Sequence, residues 1–465
     1  MDRALAVGLD GMTLDLLHCL AAEGVMPTVA ALLELGPCAE LRAPVPEISS
    51  TSWASFLTGV NPARHGVFGF VDLRSGGYDT FYADVRSLSA PTMWELAAGA
   101  GLRTACLNVP GTYPAPGIQG TLISGFVAPR LSRAVFPEQL TETLSALDYE
   151  LDVEIGDVAA DPHAFLARAV RALHARVRGF EAVLGRGGTE PDWNLGLAVL
   201  TETDRVQHFL WGPLNDPGHP LHDAVVDFYR EVDTALGRLV ALVDDDDALF
   251  LVSDHGFGPA TCQFALNGWL REGGWLAPVE TTPRLIDLDS RSQAFALDPA
   301  RVYLHRKSRF PSGSLSDGDA DEVRDEIADE LRALRRDGTR IGPKADGPLV
   351  FDAVETAAQA YTGPLLEHSA DLLATPAYGV QPRGMWAPAS TVGTDVFTGT
   401  HTRGNAIFYA RDAARDCFPA RVDMTDVAPT LLGALGVATP DMDGRAADTT
   451  LATGRRVQRT TGGMA

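Results

Sequence analysis

What most narrows the folds open to this chain is a recurring unit, a short apolar run followed by a helical stretch. The runs are ALAVGL (4–9), TACLNVP (104–110), TLISGF (121–126), LGLAVL (195–200), ALFLVSD (248–254) and NAIFYA (405–410). Between them lie helical patterns such as 13–35, PTMWELAAGAG (91–101) and the amphipathic DAVVDFYREVDTALGRLVALV (223–243). Short apolar strands alternating with helices predict an α/β fold, a mostly parallel sheet with helices on both faces. Ligands of such folds sit beyond the carboxyl ends of the strands. Asp10 and Asp254 both fall at such ends.

Two stretches break the alternation. Residues 136–190 read as a helical insert. Residues 260–390, with Pro/Gly-rich turns, short strands and the charged helix ADEVRDEIADELRALRRDG (319–338), read as a lid-like insertion that sets substrate specificity. The α/β core is then 1–135, 191–259 and 391–448, and 449–465 is expected to be a disordered tail. The run DDDD (244–247) reads as a solvated turn after a helix.

Composition removes several classes of function. No apolar run approaches the roughly 18–20 residues that cross a bilayer, so no membrane partner is expected. The formal charge of −23 argues against nucleic acid, whose phosphates need a basic surface. Were the substrate itself an anion, bound divalent cations would have to reverse the sign locally. Five scattered cysteines without a CxxC pair speak against a disulfide framework or a structural zinc knuckle, and suit a reducing cytoplasm. Oligomeric state is not legible.

Four places carry candidate chemistry. EISSTSWASFLTG (47–59) packs Ser49, Ser50, Thr51 and Ser52 before a tryptophan. These hydroxyls are either helix caps or the source of a nucleophile, which would need an activator. In TETDRVQHFLW (201–211), Asp204 and His208 are four apart, on one face of a helix, as a surface pair or as ligands of one ion. SDHGFG (253–258) ends a strand with Asp254 and His255, and GTHTRGN (399–405) places His401 in a loop before a strand. Each alone has an ordinary structural explanation.

Together they resemble the alkaline phosphatase superfamily, in its nucleotide pyrophosphatase/phosphodiesterase-like branch. The order matches: Asp10 in GLDGM, a hydroxyl ten residues before the glycine of TGVNPARHG (58–66), the Asp204/His208 pair, the Asp254/His255 pair, then His401. A closing stretch, DMTDVAPTLLGALGV (423–437), also fits. The likeness is to a bacterial and archaeal group of phosphohydrolases or phosphomutases, including LNGWLREGGWL (266–276) and ARVYLHRKSR (300–309).

The resemblance implies that Asp10, Ser49, Asp254 and His255 hold one divalent metal ion and Asp204, His208 and His401 a second, zinc or manganese. Ser49 is then the attacking hydroxyl, with Thr51 as alternative, and a phospho-seryl intermediate forms and is hydrolysed. The substrate is a small-molecule phosphate ester, a diester or nucleotide pyrophosphate ahead of a monoester. Phosphoryl transfer within a mutase and a non-catalytic metal-binding relative are the competing readings. Arg205 is expected to reach the phosphoryl group or to form a structural ion pair. Trp53, Phe70 and Trp211 line a leaving-group pocket or pack in the core, and Arg64 and His65 take structural roles. Two departures stand out: Phe70 occupies the place of a family asparagine that binds a phosphoryl oxygen, and ISSTSW lacks the C/S-x-P-x-R run of sulfatases.

Overall fold

In a computed structural model the chain is described for residues 2–185, 192–277, 285–336, 341–342, 347–385, 396–439 and 441–449. A nine-stranded sheet runs in the order 421–423, 38–42, 406–410, 248–252, 4–9, 195–200, 104–109, 120–124, 135–136. Its five central strands, from Ala248–Val252 to Gly120–Ser124, are all parallel to their neighbours. The strand Ala406–Ala410 enters antiparallel to Ala248–Val252, and Val135–Phe136 antiparallel to Gly120–Ser124.

Every residue of Ala4–Leu9 is buried because each face of the sheet is covered. Leu5, Val7 and Leu9 join an apolar cluster with the helices Leu14–Ala22, Pro27–Leu35, Pro162–Leu184 and His222–Val240. Ala4 and Ala6 face the opposite cluster, where Trp53, Phe56, Trp94 and Leu431 come from Ser49–Thr58, Met93–Gly99 and Met424–Ala434. Gly8 leaves room there: a Cβ on it would stand 2.9 Å from the indole of Trp53 and 2.8 Å from Val199.

Several expectations need revising. The helix over 13–35 is two, broken before Pro27, whose ring suits a helix's first turn and not its interior. Residues 136–190, expected as an insert, contain the helix Pro162–Leu184, and its Phe165, Leu173 and Phe180 lie in the same cluster as Leu5. Within 244–247, Asp247 is buried and accepts from Arg3 Nε at 3.2 Å, so the run is partly a structural anchor. Ser50, Thr51 and Ser52 are not caps, because the helix already starts at Ser49, after Ile48. The expected tail lies almost wholly outside the described residues.

Residues 260–390 carry a separate four-stranded sheet, ordered 294–297, 301–304, 372–376, 351–356, with the helix Asp317–Ala333 beside it. It has its own apolar cluster, including Phe295, Tyr303, Leu331 and Phe351, which also takes Phe68 and Tyr78 from the first part of the chain. Arg301, fully buried, donates to Asp72 Oδ1 at 2.5 Å and to the Val71 carbonyl at 2.7 Å. Gly69 carries no side chain because the guanidinium of Arg301 fills that space. The subdomain is thereby tied to the start of the strand Val71–Leu73, directly after Phe70.

One buried ion pair supports the helix that carries Asp204. Arg176 and Glu202 are both fully buried, with Nε to Oε1 at 2.7 Å, and Tyr149 lies 3.1 Å from Arg176. Removing one partner of such a pair strands the other charge. Arg176→Met should therefore lower unfolding free energy by about 3–5 kcal/mol, whereas Arg176→Met with Glu202→Leu should recover most of it. Denaturant midpoints of the two variants check this.

Candidate metal centre and active site

The parallel register brings the chemistry together. Leu9 pairs with Leu200 and Gly8 with Val252, so Asp10, Thr201 and the Ser253–Asp254 turn leave the sheet side by side. Gly11 follows at φ +69°, a left-handed conformation that glycine adopts without strain. Its N–H donates to Asp254 Oδ1 at 3.2 Å, tying the two strand ends together. Asp204 and His208 project from the helix Glu202–Asn215 that follows the strand Leu195–Leu200. His401 lies within a strand, Gly399–Thr402, and not in a loop; this strand pairs antiparallel with Gly256–Pro259, so His401 stands opposite Phe257, close to His255.

Two trios result. Ligand atoms of Asp10, Asp254 and His255 lie within 4.8 Å of one another, as do those of Asp204, His208 and His401. His255 Nε2 joins them, 3.3 Å from Asp254 Oδ2, 3.7 Å from Asp10 Oδ1 and 3.9 Å from Asp204 Oδ1. Asp204 Oδ1 is 3.3 Å from Nε2 of both His208 and His401. The rings of His255 and His401 stack with centroids 3.6 Å apart.

Backbone carbonyls set the orientation of all three imidazoles. Nδ1 of His255 donates to Gly256 O at 3.0 Å, that of His401 to Glu47 O at 3.1 Å, and that of His208 to Gly399 O at 3.2 Å. In the neutral ring this leaves a lone pair on each Nε2, directed at the other ligands. His208 and His401 then oppose their Nε2 atoms at only 3.0 Å. Two acceptors at that distance repel unless positive charge lies between them.

The carboxylates show the same need. Asp10 Oδ1, Asp204 Oδ1 and Asp254 Oδ2 are buried and have no hydrogen-bond partner among the described residues. Burial and the Asp254 and Asp204 charges raise Asp10 well above the usual carboxylate range. Burial, then Asp204, pushes Asp254 up to about 7. Burial would raise Asp204 too, but without a cation the positive charge and hydrogen bonds that His208 and His401 supply on protonation outweigh it and hold it well below. Burial, then His401, depresses His255, so that ring is neutral. Asp and neutral His facing a common centre, with orphaned oxygens, fit divalent cations.

Ser49 opens the helix Ser49–Thr58, and its Oγ lies 3.2 Å from His255 Nε2. It lines the cleft above the trios, whereas Thr51 is fully buried and does not. This cleft, of about 670 Å³, is walled by Phe70, Tyr82, Tyr113 and Phe126 and by Arg205. Arg205 donates to Asp152 at 2.8 and 3.1 Å, stacks over Phe126 at 4.3 Å and approaches Asp204 at 3.8 Å. It is thus both an ion-pair residue and part of the cleft wall. Trp211 stacks on Phe257 away from this cleft, and Trp53 is a core residue whose indole N–H donates to Asp10 Oδ2 at 3.2 Å. His65 is buried, 3.0 Å from Ser55 Oγ, and Arg64 pairs with Asp443; both are structural.

Sequence reasoning missed Trp53 as a partner of Asp10, the three carbonyls behind the imidazoles, and the walls formed by Tyr82, Tyr113 and Phe126. Gly256, next to His255, was the one carbonyl that adjacency could have suggested. The aromatic walls come from distant segments with no shared spacing.

A family model described as type I phosphodiesterase / nucleotide pyrophosphatase matches residues 4–402. No curated protein matches. Among solved structures, phosphonoacetate hydrolase from Sinorhizobium meliloti 1021, in complex with phosphonoacetate, aligns with a TM-score of 0.62 at 16% identity, covering 94% of this chain and 96% of that one. Murine ectonucleotide pyrophosphatase / phosphodiesterase 5 aligns at 0.56 and 15% identity, over 95% and 97% of the two chains. A mutant of alkaline phosphatase PafA aligns at 0.57 and 14%, over 97% and 100%. At these identities the structures establish a shared α/β fold.

Cation binding must displace the protons held by Asp10 and Asp254, whose raised affinities make them competitors of the metal. Zn²⁺ or Mn²⁺ affinity should fall as pH drops through about 7. Calorimetric titration of metal-stripped protein, in buffers of different ionisation enthalpy, should show more protons released at acidic than at alkaline pH. Uptake independent of pH would contradict this assignment.

Proposed function

The chain belongs to the type I phosphodiesterase / nucleotide pyrophosphatase family, and from that premise we propose that it is a two-metal-dependent phosphohydrolase cleaving a phosphodiester or nucleotide pyrophosphate, with Ser49 as nucleophile. The observation that carries this reading is the convergence of Asp10, Asp204, His208, Asp254, His255 and His401 beside the Ser49 hydroxyl.

Asp10, Ser49, Asp254 and His255 would hold one ion, and Asp204, His208 and His401 the other. When bound, such a pair would supply Lewis-acid charge to an in-line displacement and would lower the proton affinity of the nucleophile. The protein's own contributions can be read from its residues. Ser49 stands at a helix N-terminus, where the backbone dipole favours developing negative charge. His255 Nε2 lies 3.2 Å from its Oγ, so the two would face the same ion side by side. Phe70 offers no amide donor to a phosphoryl oxygen, so that helix terminus takes over this task on our reading. Arg205, held by Asp152, adds positive charge to the cleft wall. The aromatic walls suit an organic arm of the ester, a feature that favours a diester or pyrophosphate over a bare monoester.

Bis-p-nitrophenyl phosphate and p-nitrophenyl phosphate, supplied with Zn²⁺ or Mn²⁺, test the reading. Ser49→Ala should lower turnover by at least about 10³-fold, while Thr51→Val should retain it. Acid quenching should trap a p-nitrophenyl phosphoryl ester on Ser49 from the diester and a phosphoryl group from the monoester. Full activity in Ser49→Ala would remove the nucleophile assignment. Turnover of a phosphate monoester without inorganic phosphate release would point to a mutase instead.

A further inference from the structure

A second cleft, of about 480 Å³, shares Phe70, Arg205, His208 and His401 with the first but none of Asp10, Ser49 or Asp204. Its far wall comes from the 260–390 subdomain, chiefly Leu297, Pro299, Gln381 and Arg383. Phe209 and Phe397 line it from the core side, so much of its surface is apolar. Glu47 also lines it, only 4% exposed, and its Oε2 has no hydrogen-bond partner among the described residues. A buried acceptor without a donor is costly, and it marks a place where a ligand donor would be rewarded.

The direction of attack says which arm of a substrate would enter. Ser49 Oγ lies against the Asp10–Asp254–His255 trio. An in-line displacement sets the leaving oxygen opposite the nucleophile, on the side of the Asp204–His208–His401 trio. The whole trio borders the first cleft, but only the second cleft presents His208 and His401 without Ser49. Resting on the phosphodiester reading above, we propose that the second cleft is the leaving-arm subsite and selects an alcohol or phenol with an apolar body and a hydrogen-bond donor that meets the Glu47 carboxyl.

In that step a bond forms between Ser49 Oγ and phosphorus. The bond from phosphorus to the leaving oxygen breaks, with its electron pair going to that oxygen. The Ser49 proton is lost to solvent, and the released oxyanion is protonated by water. Phe70, at the junction of the two clefts, is held by the Arg301–Asp72 bridge, so the partition between the arms is built into the subdomain contact.

Methyl phenyl phosphate, methyl 3-(hydroxymethyl)phenyl phosphate and methyl 3-carboxyphenyl phosphate separate the possibilities, since in each the aryl group is the better leaving arm. With the metal-loaded, full-length protein, the hydroxymethyl compound should exceed the phenyl compound in kcat/KM by about tenfold or more. Moving the hydroxyl to the retained arm, as in 3-hydroxypropyl phenyl phosphate against propyl phenyl phosphate, should bring no such gain. Glu47→Leu should bring the hydroxymethyl-to-phenyl ratio towards one, whatever happens to absolute rates, whereas Glu47→Gln, which keeps an acceptor oxygen, should retain part of it. Leu297→Trp should depress 1-naphthyl leaving arms more than 1-naphthylmethyl retained arms. A wild-type ratio near one, or a preference for the carboxyphenyl arm through Arg383, would overturn the subsite while leaving the hydrolase reading intact. Absence of aryl release from every diester would remove that reading and the subsite with it.

Discussion

Acceptor crowding at the ends of three parallel strands is the constraint around which the molecule is arranged. Three carboxylates and three imidazole nitrogens face one small space, and two of those nitrogens stand 3.0 Å apart. Left to themselves, such groups repel or seize protons, as the raised Asp10 and Asp254 show. They stay in place because each is gripped from behind. Carbonyls hold the imidazoles, the Trp53 indole and the Gly11 amide hold carboxylate oxygens, and the sheet holds the backbone. The ordering of these groups is thus built into the fold, and a cation entering there would meet its ligands already in place.

That grip reaches far from the centre. Trp53 can approach Asp10 only because Gly8 has no side chain. The helix bearing Asp204 and His208 is anchored through Glu202 to Arg176, on a helix from a stretch that reads as an insert. Arg301 clamps the strand that follows Phe70 from the other subdomain. These buried ion pairs add less to net stability than to geometry, because desolvation consumes much of their attraction. Their value lies in fixing where a helix or a loop stands relative to the metal trios.

How much of this was legible depended on how local the cause was. The strands Ala4–Leu9, Leu195–Leu200 and Ala248–Val252 follow from apolar runs, and Asp204 with His208 from helical spacing. The hydroxyl run was legible as a helix start, but its hydroxyls are not the caps, since Ile48 takes the cap position and offers no side-chain oxygen. His401 looked like a loop residue because Gly399–Thr402 is a short strand that exists only through pairing with Gly256–Pro259. The stretch 136–190 read as a helical insert because its amphipathic helix gives no sign of which surface it will cover.

The amino-acid order by itself determined the alternation of strand and helix, the side chains able to ligate a metal and the family. Those properties rest on side-chain chemistry and short-range periodicity, which are written residue by residue. Only the tertiary structure decided which hydroxyl faces the cleft, which nitrogen of each imidazole points inward and where a second cleft meets the same histidines. Those outcomes depend on backbone carbonyls and walls contributed by segments hundreds of positions apart, such as Glu47 with His401. No spacing along the chain encodes a distance that arises only once the sheet has closed around its ends.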